Sequence, residues 1–169
     1  MTVAEPVDAS GSSVAGRVLS AALVGGTMAG AFDITYAFTN WGLQGIAPMR
    51  ILHAVASGLI GREVARAGGM DTAILGAVLH FSMTFVMGLV FAVAALMLPV
   101  LRRAPVIWGM AYGGAIYIVM NYIVVPLSLA GGRSAPPIMD YTTGFLVHVF
   151  LVGLPIALVT RMYLPAPRA

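Results

Sequence analysis

One carboxylate, one amide and two imidazoles stand inside the apolar stretches of this chain: Asp33, Asn121, His80 and His148. A polar group surrounded by Leu, Val, Phe and Met needs a partner, and an ionisable one in a membrane segment marks a candidate site. A histidine beside a buried carboxylate can share its proton. The set therefore suits proton exchange, or a grip on a small polar solute or ion. Two histidines and one carboxylate are also a legitimate metal ligand set with open positions, which would make His80 and His148 the ligands. The same two histidines could carry a b-type haem, with Gly76 and Gly144 one turn away leaving room for the ring. No HExxH or similar paired-ligand spacing accompanies them, so no cofactor is the first expectation. The plain alternative is that these groups only tie helices together by hydrogen bonds.

The elements that carry them are membrane helices. Of 169 residues, 60% are hydrophobic and 9% charged, with a mean hydropathy of +0.95. Soluble domains run at roughly a quarter charged. The absence of cysteine excludes disulfides, thiol nucleophiles and thiolate-ligated clusters. The net charge of +3 comes from arginine alone, and the arginines are scattered, which argues against a nucleic-acid surface. No nucleophile–base pair, phosphate loop or dinucleotide fingerprint stands out, so an enzyme is not expected. The expected fold is an all-α integral membrane protein with a lipid bilayer as its surroundings.

Four spans are legible, at residues 18–41, 71–98, 105–128 and 139–163, within a single domain over 17–164. Residues 1–16 are polar, lack the basic start of a secretory signal and read as a disordered tail. Small residues line the helix-packing faces: Gly26 and Gly30 in the first span, Gly76 in the second, Gly113 in the third, Gly144 in the fourth. In the second, Gly76, His80, Thr84 and Gly88 recur every fourth residue, one narrow stripe on a helix. Pro155 has no N–H for the Leu151 carbonyl, so a kink is expected there. Between the first two spans, residues 48–67 contain an uncharged apolar run too short to cross a bilayer. Arg50, His53 and Ser57 fall on one side of it and Ile51, Val55 and Leu59 on another, which predicts an amphipathic interfacial or re-entrant helix with a solvated His53. Trp41, Trp108, Tyr112, Tyr141 and Tyr163 sit near span ends and read as an aromatic belt.

The halves resemble each other. Gly25-Gly26 precedes Asp33 at the offset at which Gly113-Gly114 precedes Asn121, and Gly76-xxx-His80 parallels Gly144-xxx-His148. Two tandem helix pairs would give this pattern. Counting at 1.5 Å per residue puts Asp33, His80, Asn121 and His148 roughly 12–13 Å below one surface, with Tyr36, Thr84 and Tyr117 within about a turn. These seven are expected to form one polar layer. Four spans place both termini on one side with Arg17, Arg102, Arg103, Arg161 and Arg168, which favours cytoplasmic termini. So thin a bundle suggests a homo-oligomer or a subunit of a membrane complex.

The succession of His80-Phe-Ser, Pro99 with a basic pair, WGMAYGGAIYIVMNYIVVPLSLAG, and a last span with Gly-x-x-x-His148 resembles YagU-like bacterial inner-membrane proteins over roughly residues 70–163. The resemblance implies a small four-span protein of the inner membrane, with no assigned activity and no catalytic residues to carry over.

Overall fold

The computed structural model describes residues 13–130 and 138–165, with side chains of 138–141 excepted. Residues 1–12, within the expected tail, residues 131–137, where a turn is expected between the third and fourth spans, and residues 166–169 lie outside it.

Four helical spans are long and apolar enough to cross a membrane, and the chain is an all-α multi-pass membrane protein. The first, α1 (Val14–Gly42), starts earlier than hydropathy alone suggests, because Ser13 caps it by accepting the Gly16 N–H at 3.1 Å. Residues 14–16 are thus helix and not tail. Next come α2 (Pro48–Ile60) and α3 (Arg62–Ala67), where one amphipathic helix over 48–67 was expected. They break at Gly61, whose φ of +80° is open to glycine and strained for other residues. The second span is α4 (Gly69–Met97), and α5 (Pro99–Arg103) turns the chain. The third runs through α6 (Pro105–Val119), a π-helical turn Met120–Val124 and α7 (Val125–Leu127). The fourth runs through α8 (Ile138–Val147), a second π turn His148–Gly153 and α9 (Leu154–Tyr163).

Both π turns have the same cause. Pro126 and Pro155 cannot donate to the carbonyls of Tyr122 and Leu151 four residues back, and a regular helix would press the ring against them. One extra residue per turn relieves this, and Val125 and Leu154 donate instead to Met120 and Val149, five residues back. The kink expected at Pro155 is therefore met by a widened turn.

Glycines set the helix pairs. A Cβ at Gly26 would lie 2.7 Å from the Phe85 Cα, and one at Gly88 would meet the Ala22 carbonyl at 2.8 Å, so α1 and α4 touch backbone to backbone. Gly109, Gly113 and Gly153 do the same between α6 and the second π turn. The fourth span is the hub. It packs on α1, α6 and α4, and its Val152, Ile156 and Ala157 join Ala29, Phe91, Ala95 and Ile116 in the main core. The second span, with the strongest sequence signal, is mostly turned outward. Tyr112, expected in the aromatic belt, is half-buried instead: it packs on Phe91 and donates its hydroxyl to the Met87 carbonyl at 2.7 Å. Tyr112→Phe is expected to lower unfolding free energy in detergent by about 0.6–1.7 kcal/mol, the range for hydrogen bonds between membrane helices.

At the termini end, Arg102 lies beside Arg161 and Arg103. Partial burial, then these two charges, hold its guanidinium below the ordinary arginine value. Its Nη1–H is taken by the Pro165 carbonyl at 2.8 Å.

Candidate functional site

The opposite end holds a cavity of about 910 Å³, inside the usual ligand-site range of roughly 300–1,000 Å³. Asp33 from α1, His80 and Thr84 from α4, Asn121 from the first π turn and His148 from the second all line it. Each of the four spans thus contributes a polar side chain. Tyr117 belongs to the supporting wall: it is buried, edge-on to the His148 ring at 5.3 Å. Tyr36 is the exception. Three residues beyond Asp33 on α1, it faces a separate shallow groove with Phe32, Thr35 and Leu151, so the expected layer loses that member.

Local packing fixes the imidazoles. Without a Cβ, Gly30 lets Thr84 and Phe81 close on α1, and His80 then donates its Nε2–H to the Gly30 carbonyl at 3.0 Å. His148 instead donates its Nδ1–H to the Gly144 carbonyl of its own helix at 2.8 Å. Gly144 in turn seats the Tyr117 ring, 3.2 Å from where a Cβ would stand. Asn121 donates from Nδ2 to the Tyr117 carbonyl at 2.9 Å. The two Gly-xxx-His segments look equivalent in sequence yet bond differently, because Gly76 receives the Leu52 backbone of α2 where Gly144 receives Tyr117. Asp33 lines the cavity with no hydrogen bond or ion pair to any described residue.

The amphipathic helix α2 turns His53, Ala56 and Ser57 into the bundle, where they are buried, and leaves Leu59 55% exposed. Arg50, on the same side as His53, stays exposed, and Ile51 and Val55 from the other side also line the cavity. His53 is not solvated: it donates its Nε2–H to the Gly69 carbonyl at 2.8 Å. The Leu129 N–H, donating to the Gly58 carbonyl at 3.0 Å, ties α2 to the end of the third span. Arg50, Arg62 and Arg66 from α2 and α3 complete the cavity lining, together with Trp41 at the end of α1.

Comparison of the chain with protein-family models, curated proteins and solved structures gives no match. Function is read from the cavity itself. Among the described residues, no group of three or more His, Asp or Glu side chains is placed to hold a metal. A bis-histidine haem does not fit these rings as they stand. The Nε2 of His80 is engaged with the α1 backbone, and ligation through it would break the contact that positions the ring.

What the sequence did not reveal is that two members of the polar layer sit on π turns. Asn121 and His148 are both within them. A π turn swings a side chain off the regular helical register and leaves backbone carbonyls under-bonded, and such turns are frequent at functional sites. The signal was present in Pro126 and Pro155, five and seven residues downstream of Asn121 and His148.

Proposed function

We propose that this is a small, non-enzymatic membrane protein that binds a polar solute in its cavity and exchanges protons there through Asp33, with His80 and His148 as neighbours. One observation carries the reading: five polar side chains from all four spans, two of them on π turns, line a single cavity. A purely structural role predicts bonds between helices, and His80 makes one to Gly30 of α1, whereas the Nδ1–H of His148 bonds within its own helix. Here the imidazole bonds go to backbone carbonyls, which holds the rings while leaving the other face of each available to the cavity. Asp33 accepts from no described group.

The finer placement follows the same reasoning. Membership of the YagU-like group rests on the sequence motifs quoted above, and with it the bacterial inner membrane. Arginines 102, 103 and 161 at the termini end favour cytoplasmic termini, which opens the cavity to the opposite side. Gly26, Gly30, Gly76, Gly113 and Gly144 are all engaged within the chain. Self-association, or docking into a larger complex, would therefore use the broad apolar outer faces of α4 and α6.

The lack of cysteine makes the test simple, since any introduced thiol is unique. Asn121→Cys, at a partly exposed position of the cavity wall, is expected to react with a small charged thiosulfonate in the folded protein in lipid. Val90→Cys, on the outer face of α4, is expected not to react. An inert thiol at position 121 would remove the solute site.

A further inference from the structure

We infer that the solute is an amphiphilic anion: an acid headgroup, phosphate or carboxylate, gripped by the arginines of α2 and α3, with an apolar body reaching into the bundle. This rests on the cavity being a solute site, and it adds the class of solute.

Charge comes first. Among the described residues, the cavity wall carries three guanidinium groups, Arg50, Arg62 and Arg66, and one carboxylate, Asp33. Arg62 and Arg66 stand four apart on α3, so they share one face. The same cavity is lined by Arg50, from the first turn of α2. Planar guanidinium groups suit the flat, two-pronged recognition of phosphate and carboxylate. All three residues are exposed, so the rim is wet.

The second observation is independent of the arginines. His53 lines the same wall, three residues along α2 from Arg50, and is only 4% exposed. Its Nε2–H is taken by Gly69, but its Nδ1 is buried without a hydrogen-bond partner among the described residues. Buried polar atoms are normally paired. A protonated acid headgroup would donate to this nitrogen, and an anionic one would accept from it when the ring is charged.

The third is the rest of the wall. Behind the cationic rim, Met83, Met87, Ile116 and Met120 alternate with the polar layer. Flexible thioether side chains accommodate apolar bodies of varied shape. Free phosphate would leave this surface uncovered, and a neutral hydrocarbon would leave the rim unmatched. An amphiphilic anion meets both. Anionic membrane lipid and a water-borne acid share this chemistry.

Trp41 lines the cavity and Trp108 does not, so Trp41 fluorescence in a Trp108→Phe background reads occupancy. The protein is placed in phosphatidylcholine nanodiscs and titrated with hexyl phosphate, inorganic phosphate and hexyltrimethylammonium. Hexyl phosphate is expected to give a saturable change, inorganic phosphate one at least about tenfold weaker, and the ammonium none. Arg50→Gln and Arg66→Gln are each expected to weaken hexyl phosphate by about tenfold. Arg103→Gln, at the other end, should have no effect. Doping the discs with phosphatidic acid assigns the source within the proposal: competition with hexyl phosphate identifies a lipid headgroup, and an unshifted curve a soluble acid. An equal response to the ammonium, equal affinity for inorganic phosphate, wild-type affinity in both arginine variants, or silence to every probe overturns the inference. If the thiol at position 121 still reacts in that case, the cavity remains a solute site of another specificity. If it does not, both readings fall together.

Discussion

Gly113→Leu is expected to abolish the folded protein, and Gly113→Ala to destabilise it by about 2–4 kcal/mol, against the usual trend for overpacked sites of 1–3. In an ordinary helix the alanine change would stabilise by up to about 1 kcal/mol. Here a Cβ would stand 2.8 Å from the carbonyl carbon of His148 and 2.8 Å from the Val149 Cα. These are backbone atoms of the second π turn, and no rotamer change clears them. The third and fourth spans would have to separate where the main core packs Ile116 against Val152 and Ile156. The measurement is the thermal midpoint in detergent with size-exclusion homogeneity. Gly42→Ala serves as the control, since nothing lies within 4 Å of that position. A Gly113→Leu variant that stays monodisperse at the wild-type midpoint would show that these spans do not meet there. Function should suffer before stability does in the milder variant. Separating α6 from the π turn displaces the wall that Tyr117 forms against His148.

The same glycine shows how far the sequence could be read. A small residue at every fourth position marks a close helix contact, and Gly26, Gly76 and Gly113 each meet another segment's backbone. The four spans were legible from length and hydropathy, because hydrocarbon allows little besides helices. Counting residues along antiparallel spans predicted one height for Asp33, His80, Asn121 and His148, and all four line one cavity. Rotation about each helix axis was harder to read. Tyr36 lies about a turn from Asp33 yet looks out of the bundle, and axial counting is blind to that. The direction in which α2 turns its polar face depends on whether water or hydrocarbon surrounds it, which the moment of the helix alone does not specify. His53 was accordingly misplaced. The π turns escaped because Pro126 and Pro155 announce a disrupted hydrogen bond without saying how the helix repairs it.

Asp33→Asn is expected to leave the fold intact and to cut proton movement by about a hundredfold, the scale on which a positioned acid–base group contributes. The two halves of that expectation come from one fact. The carboxylate has no hydrogen bond or ion pair among the described residues, so the amide removes no structural tie, and the thermal midpoint should stay within a few degrees of wild type. What the amide does remove is the ability to take up and release a proton at the cavity wall, where Asp33 is the one acidic group among the described residues. The measurement is acidification of a trapped pH dye in phosphatidylcholine proteoliposomes under an imposed membrane potential, with and without solute. His148→Gln should have a smaller but definite effect on flux, because it also loses the bond to the Gly144 carbonyl that orients the ring. Thr84→Ala is expected to change flux little, since its hydroxyl is already donated to the Phe81 carbonyl at 3.1 Å. A midpoint that collapses in Asp33→Asn would recast the carboxylate as a structural tie. An unchanged flux would leave a binding cavity with no proton chemistry, its charge serving only to offset the arginine rim.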